Sequence, residues 1–93
     1  MELSNVKFEV GNIVVTPAAS AALTANGQTA DDLLARHRRG DWGDVSAQVR
    51  RVNERGLVEQ FNLHSSYSLP DGRRLVVVTS RDRATTMIHL DAQ

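Results

Sequence analysis

The chain has 93 residues, no cysteine, and 11 basic against 11 acidic side chains, a formal net charge of zero. That length fits one domain with a small core, and the missing thiols exclude disulfides, thiolate catalysis and cysteine-ligated zinc, favouring a reducing, cytoplasmic setting. A content of 41% hydrophobic and 24% charged residues suits a folded, soluble domain rather than a disordered chain.

The longest apolar run, Leu75 to Val78, is far too short to cross a bilayer, so no membrane partner is expected. Met1 to Asn5 lack the basic-then-apolar pattern of a secretion signal. Charge is unevenly spread. Residues 1–35 carry a balance of −3, from Lys7 against Glu2, Glu9, Asp31 and Asp32. Residues 36–83 hold ten arginines against six acids. Arginine favours forked contacts to carboxylate or phosphate, which makes nucleic acid the alternative to a protein partner.

In chain order, Val6 to Val15 reads as extended: Val6, Phe8 and Val10 alternate with polar residues, and Gly11-Asn12 suits the turn of a short hairpin. Thr16-Pro17 is an N-cap followed by proline at the first helical position. It opens an alanine-rich helix that Asn26-Gly27 stops. Thr29 caps a second helix, with Asp31 and Asp32 in its first turn and Arg36, Arg38 and Arg39 near its end. Those charges complement the helix dipole, and Gly40 terminates the segment. A third helix is predicted from Val45 to about Arg55, capped by Asp44 and stopped by Gly56. Val45, Val49 and Val52 form one apolar stripe, and Arg50 can pair with Glu54.

The last third changes period. Phe61 to Leu69 alternate apolar and polar, Pro70-Asp71-Gly72 is turn chemistry, and Leu75 to Thr79 is β-branched. A turn at Ser80 to Arg83 leads to a last strand from Thr85 to Leu90. The expected fold is one α+β domain over residues 1–93, helical from about 17 to 56 and a β-meander from about 60 to 91. Two to three short helices pack on three to four antiparallel strands, with the N-terminal strand as the optional fourth.

The most distinctive stretch is Gly40-Asp41-Trp42-Gly43-Asp44, where the only tryptophan stands between glycines and acids at a helix junction. Trp42 there either plugs the core of an interhelical corner or, with Asp41 and neighbouring arginines, anchors a partner. His37, Asp41 and Asp44 have metal-ligand chemistry, which makes a small metal-dependent enzyme a further alternative, but they lack ligand spacing such as His-Glu-x-x-His. His64, Ser65, Ser66 and Asp71 could suggest a hydrolase, but no Gly-x-Ser-x-Gly elbow accompanies them. No phosphate-cradling glycine motif is present. No catalytic, metal-ligating or cofactor-binding residue is therefore assigned, and no cofactor is expected. The candidate interaction surface is His37, Arg38, Arg39, Asp41, Trp42 and Asp44. Short sheets with exposed edges also make a homodimer a candidate assembly.

Leu33-Leu34-Ala35-Arg36-His37-Arg38-Arg39-Gly40-Asp41-Trp42-Gly43-Asp44, with Ser65-Ser66-Tyr67, Asp71-Gly72 and Asp82-Arg83-Ala84-Thr85-Thr86, resembles a small bacterial family found on plasmids, phages and integrated elements. The likeness runs from about Gly11 to Leu90, and its signature is His-x-x-Gly-Asp-Trp-Gly. Members are labelled "plasmid-related protein" or "type I restriction endonuclease subunit M". The second label implies an amino-methyltransferase, which needs an Asn-Pro-Pro-aromatic motif. The two prolines here, Pro17 and Pro70, are not adjacent. The resemblance thus implies a setting rather than a reaction: a non-enzymatic accessory or inhibitor that binds a host or element-encoded protein, restriction or CRISPR machinery among the candidates.

Overall fold

A computed structural model describes residues 6–91. Strand β1 (Asn12–Val15) leads into helices α1 (Pro17–Ala25), α2 (Ala30–Arg38) and α3 (Ala47–Glu59), and then into strands β2 (Leu63–Ser68), β3 (Arg74–Thr79) and β4 (Thr85–Leu90). The fold is α+β, as the sequence predicts. Local chemistry sets the first two helices. Thr16 Oγ1 accepts from Ala19 N at 3.2 Å with Pro17 opening α1. Thr29 and Asp32 exchange side-chain and backbone bonds in a capping box at the start of α2. Gly40, at φ +81°, carries the chain out of α2 in a conformation costly for other residues.

The third helix departs from expectation at both ends. Its N-cap is Ser46, which accepts from Val49 N, not Asp44. Gly56 does not stop it. The helix runs on to Gln60, which turns left-handed at φ +60°. Gly56 is buried, and a Cβ there would meet Leu63 and Phe61 at 3.1 Å. It lets α3 approach the β2 entry closely, a packing role that outweighs its poor helix propensity. The expected Arg50–Glu54 pair is replaced by Arg55–Glu59 at 3.0 Å, because Glu54 is engaged elsewhere.

The sheet order is β1-β4-β3-β2. Strands β2, β3 and β4 form the expected antiparallel meander, whereas β1 joins β4 in parallel, pairing Asn12 with Thr85 and Val15 with Ile88. The sheet is therefore mixed. No hairpin forms at Gly11-Asn12: Gly11 (φ +65°) instead bends the chain against the Ala84 carbonyl. A parallel neighbour requires a long connection, and the three helices followed by β2 and β3 supply it.

Alternation decides the faces. Leu63, Ser65 and Tyr67, then Leu75, Val77 and Thr79, then Thr86 and Ile88, are buried on one face. Ala19, Ala22 and Leu23 of α1 and Leu33 and Leu34 of α2 pack there with Tyr67, Leu69, Leu75, Val77 and Ile88. The other face carries Val14, Val76, Val78 and Met87, of which Val14 and Met87 are about two-fifths exposed, at 43% and 40%.

Candidate functional site

Backbone bonds hold the Gly40–Asp44 corner against the outer edge of β2. Ser66 N donates to Trp42 O at 3.0 Å, and Asp44 N donates to Ser66 O at 2.7 Å. The Tyr67 hydroxyl donates to Asp41 O, and the Ser68 hydroxyl donates to the Asp44 carboxylate at 2.7 Å. Arg36 grips Asp41 at 2.8 Å and lies 4.5 Å above the Tyr67 ring. That grip lowers the Asp41 pKa, while burial pushes the Tyr67 hydroxyl up to about 12. Gly43, at φ +74°, lies where a Cβ would sit 2.1 Å from Ser66 O. Gly43→Ala is expected to cost at least about 2 kcal/mol, from left-handed strain plus a forced shift of the bridge to β2. A urea titration against the wild type checks this, and an unchanged midpoint would refute it.

Of the two readings of Trp42, the structure has the core plug. Its side chain is fully buried, as is His37. Trp42 Nε1 donates to Glu54 of α3 at 2.9 Å. Phe8 stacks on Trp42 at 6.0 Å, and its ring meets His37 edge-on at 5.0 Å. Phe8, which the sequence placed merely in an alternating strand, belongs to this aromatic cluster. Nothing in its local pattern signals that, since the partners are nearly thirty positions or more away.

His37 lies in a buried polar chain whose direction follows from donor counting. Thr86 donates to Val10 O at 2.8 Å, and a carbonyl can only accept. Its one hydroxyl proton being used, Thr86 accepts from Thr79 at 2.6 Å. Thr79 must then accept from His37 Nε2 at 2.9 Å, so His37 carries its proton on Nε2. Nδ1 accepts from Ser65 at 2.5 Å. Burial lowers the His37 pKa to about 3, and His64 and Arg83 add smaller repulsive contributions. Ser65 and His37 have the identities of a catalytic pair, yet both are fully buried and no substrate carbonyl can reach them. The hydrolase set read from sequence is not assembled: among the described residues Ser66 Oγ has no partner, and Asp71 pairs with Arg73.

The predicted surface therefore divides. Arg38, Arg39 and Asp44 are exposed, Asp41 is half-exposed, and His37 and Trp42 lie inside. Among the described residues, no group of three or more His, Asp or Glu side chains could hold a metal ion, and no helix is long and apolar enough to cross a membrane. Arginines are partly spent internally. Arg36, Arg55 and Arg73 pair with acids, and Arg83 donates to the carbonyls of Phe61 and Gly56.

One exposed feature stands apart. The valine stripe of α3 does not enter the core. Val45, Val49 and Val52 line a groove of about 400 Å³ with Gln48, His64 and Val76 on the outer sheet face. Val52 remains 45% exposed. Exposed Arg50 and Arg51 stand beside the groove on α3. Sequence periodicity found Val49 and Val52 on one helical face. Val45, predicted to begin the helix, precedes the Ser46 cap and lines the groove from the corner, and only the packing shows that this side faces outward. No protein-family model, curated protein or solved structure matches the chain.

Proposed function

We propose that this protein is a non-enzymatic, protein-binding accessory or inhibitor module of a mobile genetic element, acting in the cytoplasm on host defence machinery such as restriction or CRISPR complexes. The resemblance at His37–Gly43 supplies the setting. The observation that carries the binding role is the α3 groove: an apolar floor of Val45, Val49, Val52 and Val76 beside Arg50 and Arg51. Apolar floors with arginine at the rim are favoured in protein interfaces. With Glu59 paired to Arg55, Arg50 and Arg51 outnumber the one remaining carboxylate, Glu54, so the rim keeps a net positive charge. Its fitting occupant is a segment of a partner that combines apolar and acidic side chains.

In this reading Trp42 is a positioning residue. It ties α3 to the corner and so sets the groove, while Arg38, Arg39 and Asp44 extend the surface at the end of α2 and the corner. The test offers immobilised protein to purified restriction and CRISPR effector complexes. Retention of one complex, lost in Val49→Asp and in the Arg50→Glu/Arg51→Glu double variant, is expected. Absence of any retention, or equal retention by folded variants, would overturn the proposal. Salt-sensitive retention of nucleic acid alone would favour the phosphate-binding alternative.

A further inference from the structure

The two edges of the sheet are treated differently by the fold. At the β2 edge, the outward groups of Ser66 are taken by Trp42 O and Asp44 N, and those of His64 by the Asn53 side chain at 2.7 and 3.1 Å. At His64 and Ser66 that edge is closed by the protein itself, and of its outward positions only Ser68, at the end of the strand, is left without a backbone partner among the described residues. At the β1 edge, the parallel register directs Asn12, Val14 and Thr16 toward β4, leaving Ile13 and Val15 to point their N–H and C=O groups outward. Among the described residues, neither has a hydrogen-bond partner on that side. No lysine, inward charge or proline within the strand guards the edge, as exposed strands usually require.

The surroundings of that edge are equally distinctive. From Val10 to Ala30 the chain has no Asp, Glu, Lys, Arg or His, although 24% of its residues are charged. This stretch is β1 together with the whole of α1. Ile13 and Val14 are exposed, at 39% and 43%. A surface without charge opposes no like charges when it meets its own image.

From these observations we infer that the β1 edge is a self-association site, and that its occupant is the β1 edge of a second copy, antiparallel across a two-fold axis. The register is fixed by the free groups. Ile13 pairs with Val15 of the other copy and Val15 with Ile13, giving four N–H···O bonds. Val14 then faces its own counterpart as a non-hydrogen-bonded pair on the outer sheet face, beside Met87, its neighbour in the ladder. The bend at Gly11 and the missing N–H of Pro17 limit the pairing to this length. Because the β2 edge of each copy is closed, the assembly ends as a dimer with an eight-stranded sheet and does not grow into a fibre. The β1 and β2 edges lie at opposite ends of the sheet, so this surface and the α3 groove can be tested independently.

Sedimentation velocity over a wide concentration range provides the test, with Val14→Lys and Val14→Glu as the variants. Val14 faces solvent, and circular dichroism monitors the fold of each variant. The wild type is expected to show a concentration-dependent dimer. Each single variant should raise its dissociation constant by roughly tenfold or more, since like charges then face each other across the axis. Mixing the two folded variants should restore a dimer as the Lys–Glu heterodimer. A wild type that is monomeric throughout, single variants that dimerise like the wild type, or a mixture that fails to pair would each overturn the inference.

Discussion

Trp42→Ala should unfold this protein or leave it barely folded. Trp42 heads the large, fully buried side chains, and removing such a ring from a core costs about 3–5 kcal/mol. A domain of this size has only about 5–15 kcal/mol of stability in all. The ring also contacts Phe8 and His37 and ties α3 through Glu54, so the cavity would open where three elements meet. The expected fall in Tm is at least about 15 °C. Trp42→Phe should be milder, since it keeps most of the ring volume and forfeits one hydrogen bond to a carboxylate, worth about 1.5–3 kcal/mol. As the only tryptophan, Trp42 reports its own burial. Native fluorescence should be blue-shifted and shielded from iodide, with both properties lost on denaturation. Ready quenching in the native state would contradict the buried ring. Loss of binding in Trp42→Ala would thus reflect lost folding, which is why the groove valines and arginines are the informative positions for the partner.

Stability should also decline as the solution is acidified, well before the carboxylates titrate. His37 has a folded pKa near 3 against 6.5 in the unfolded chain, so below pH 6.5 the unfolded state binds a proton that the folded state refuses. Stability is therefore fully present above about pH 6.5 and is lost progressively as pH falls toward 3, with a slope of up to about 1.4 kcal/mol per pH unit. By pH 5 the loss from this group alone is about 2 kcal/mol. The hydrogen-bond chain reinforces burial here. Nδ1 accepts from Ser65, and a second ring proton would set two donors against each other unless the serine turned away. His64, lowered by its own burial, contributes in the same direction. Asp41 and Asp82, whose pKa values are lowered by Arg36 and Ser80 respectively, lose their contribution only nearer pH 4 and below. Urea titrations between pH 7 and 5 separate the two regimes. In His37→Gln most of that slope should be lost, leaving only what His64 contributes, whatever the cost of the substitution itself. A wild-type slope retained in that variant would assign the effect to another group.

Much of the fold was legible because its signals are local. Thr16-Pro17, Thr29 with Asp32, and Gly40 act within one helical turn, and each defined its boundary correctly. The alternation from Leu63 to Ser68 and the turn at Pro70-Asp71-Gly72 likewise specify β2 and β3 from neighbouring residues alone. Errors arose where a residue serves a distant partner. Asp44 has capping chemistry, yet it bonds Ser66 and Ser68, and Ser46 takes the cap. Gly56 has stopping chemistry, yet contact with Leu63 and Phe61 requires a glycine inside α3. Glu54 was within reach of Arg50 along the helix, but its partner is Trp42.

At the candidate site, the sequence by itself determined that Gly40–Asp44 is a tight corner between two helices and that Val49 and Val52 share one helical face, whereas Val45 falls before the Ser46 cap and outside the helix. Glycine conformations, helix caps and helical periodicity are properties of adjacent residues and survive without the rest of the molecule. Only the tertiary structure decided which way those features point. It turned Trp42 and His37 inward, because the ring, the imidazole and the hydroxyls of Ser65, Thr79 and Thr86 satisfy one another from four different elements. It turned the valine stripe outward, because α3 lies along the β2 edge rather than over the core face. It also set β1 beside β4 with one edge unpaired, since strand order depends on contacts far apart in the chain, which no local pattern encodes.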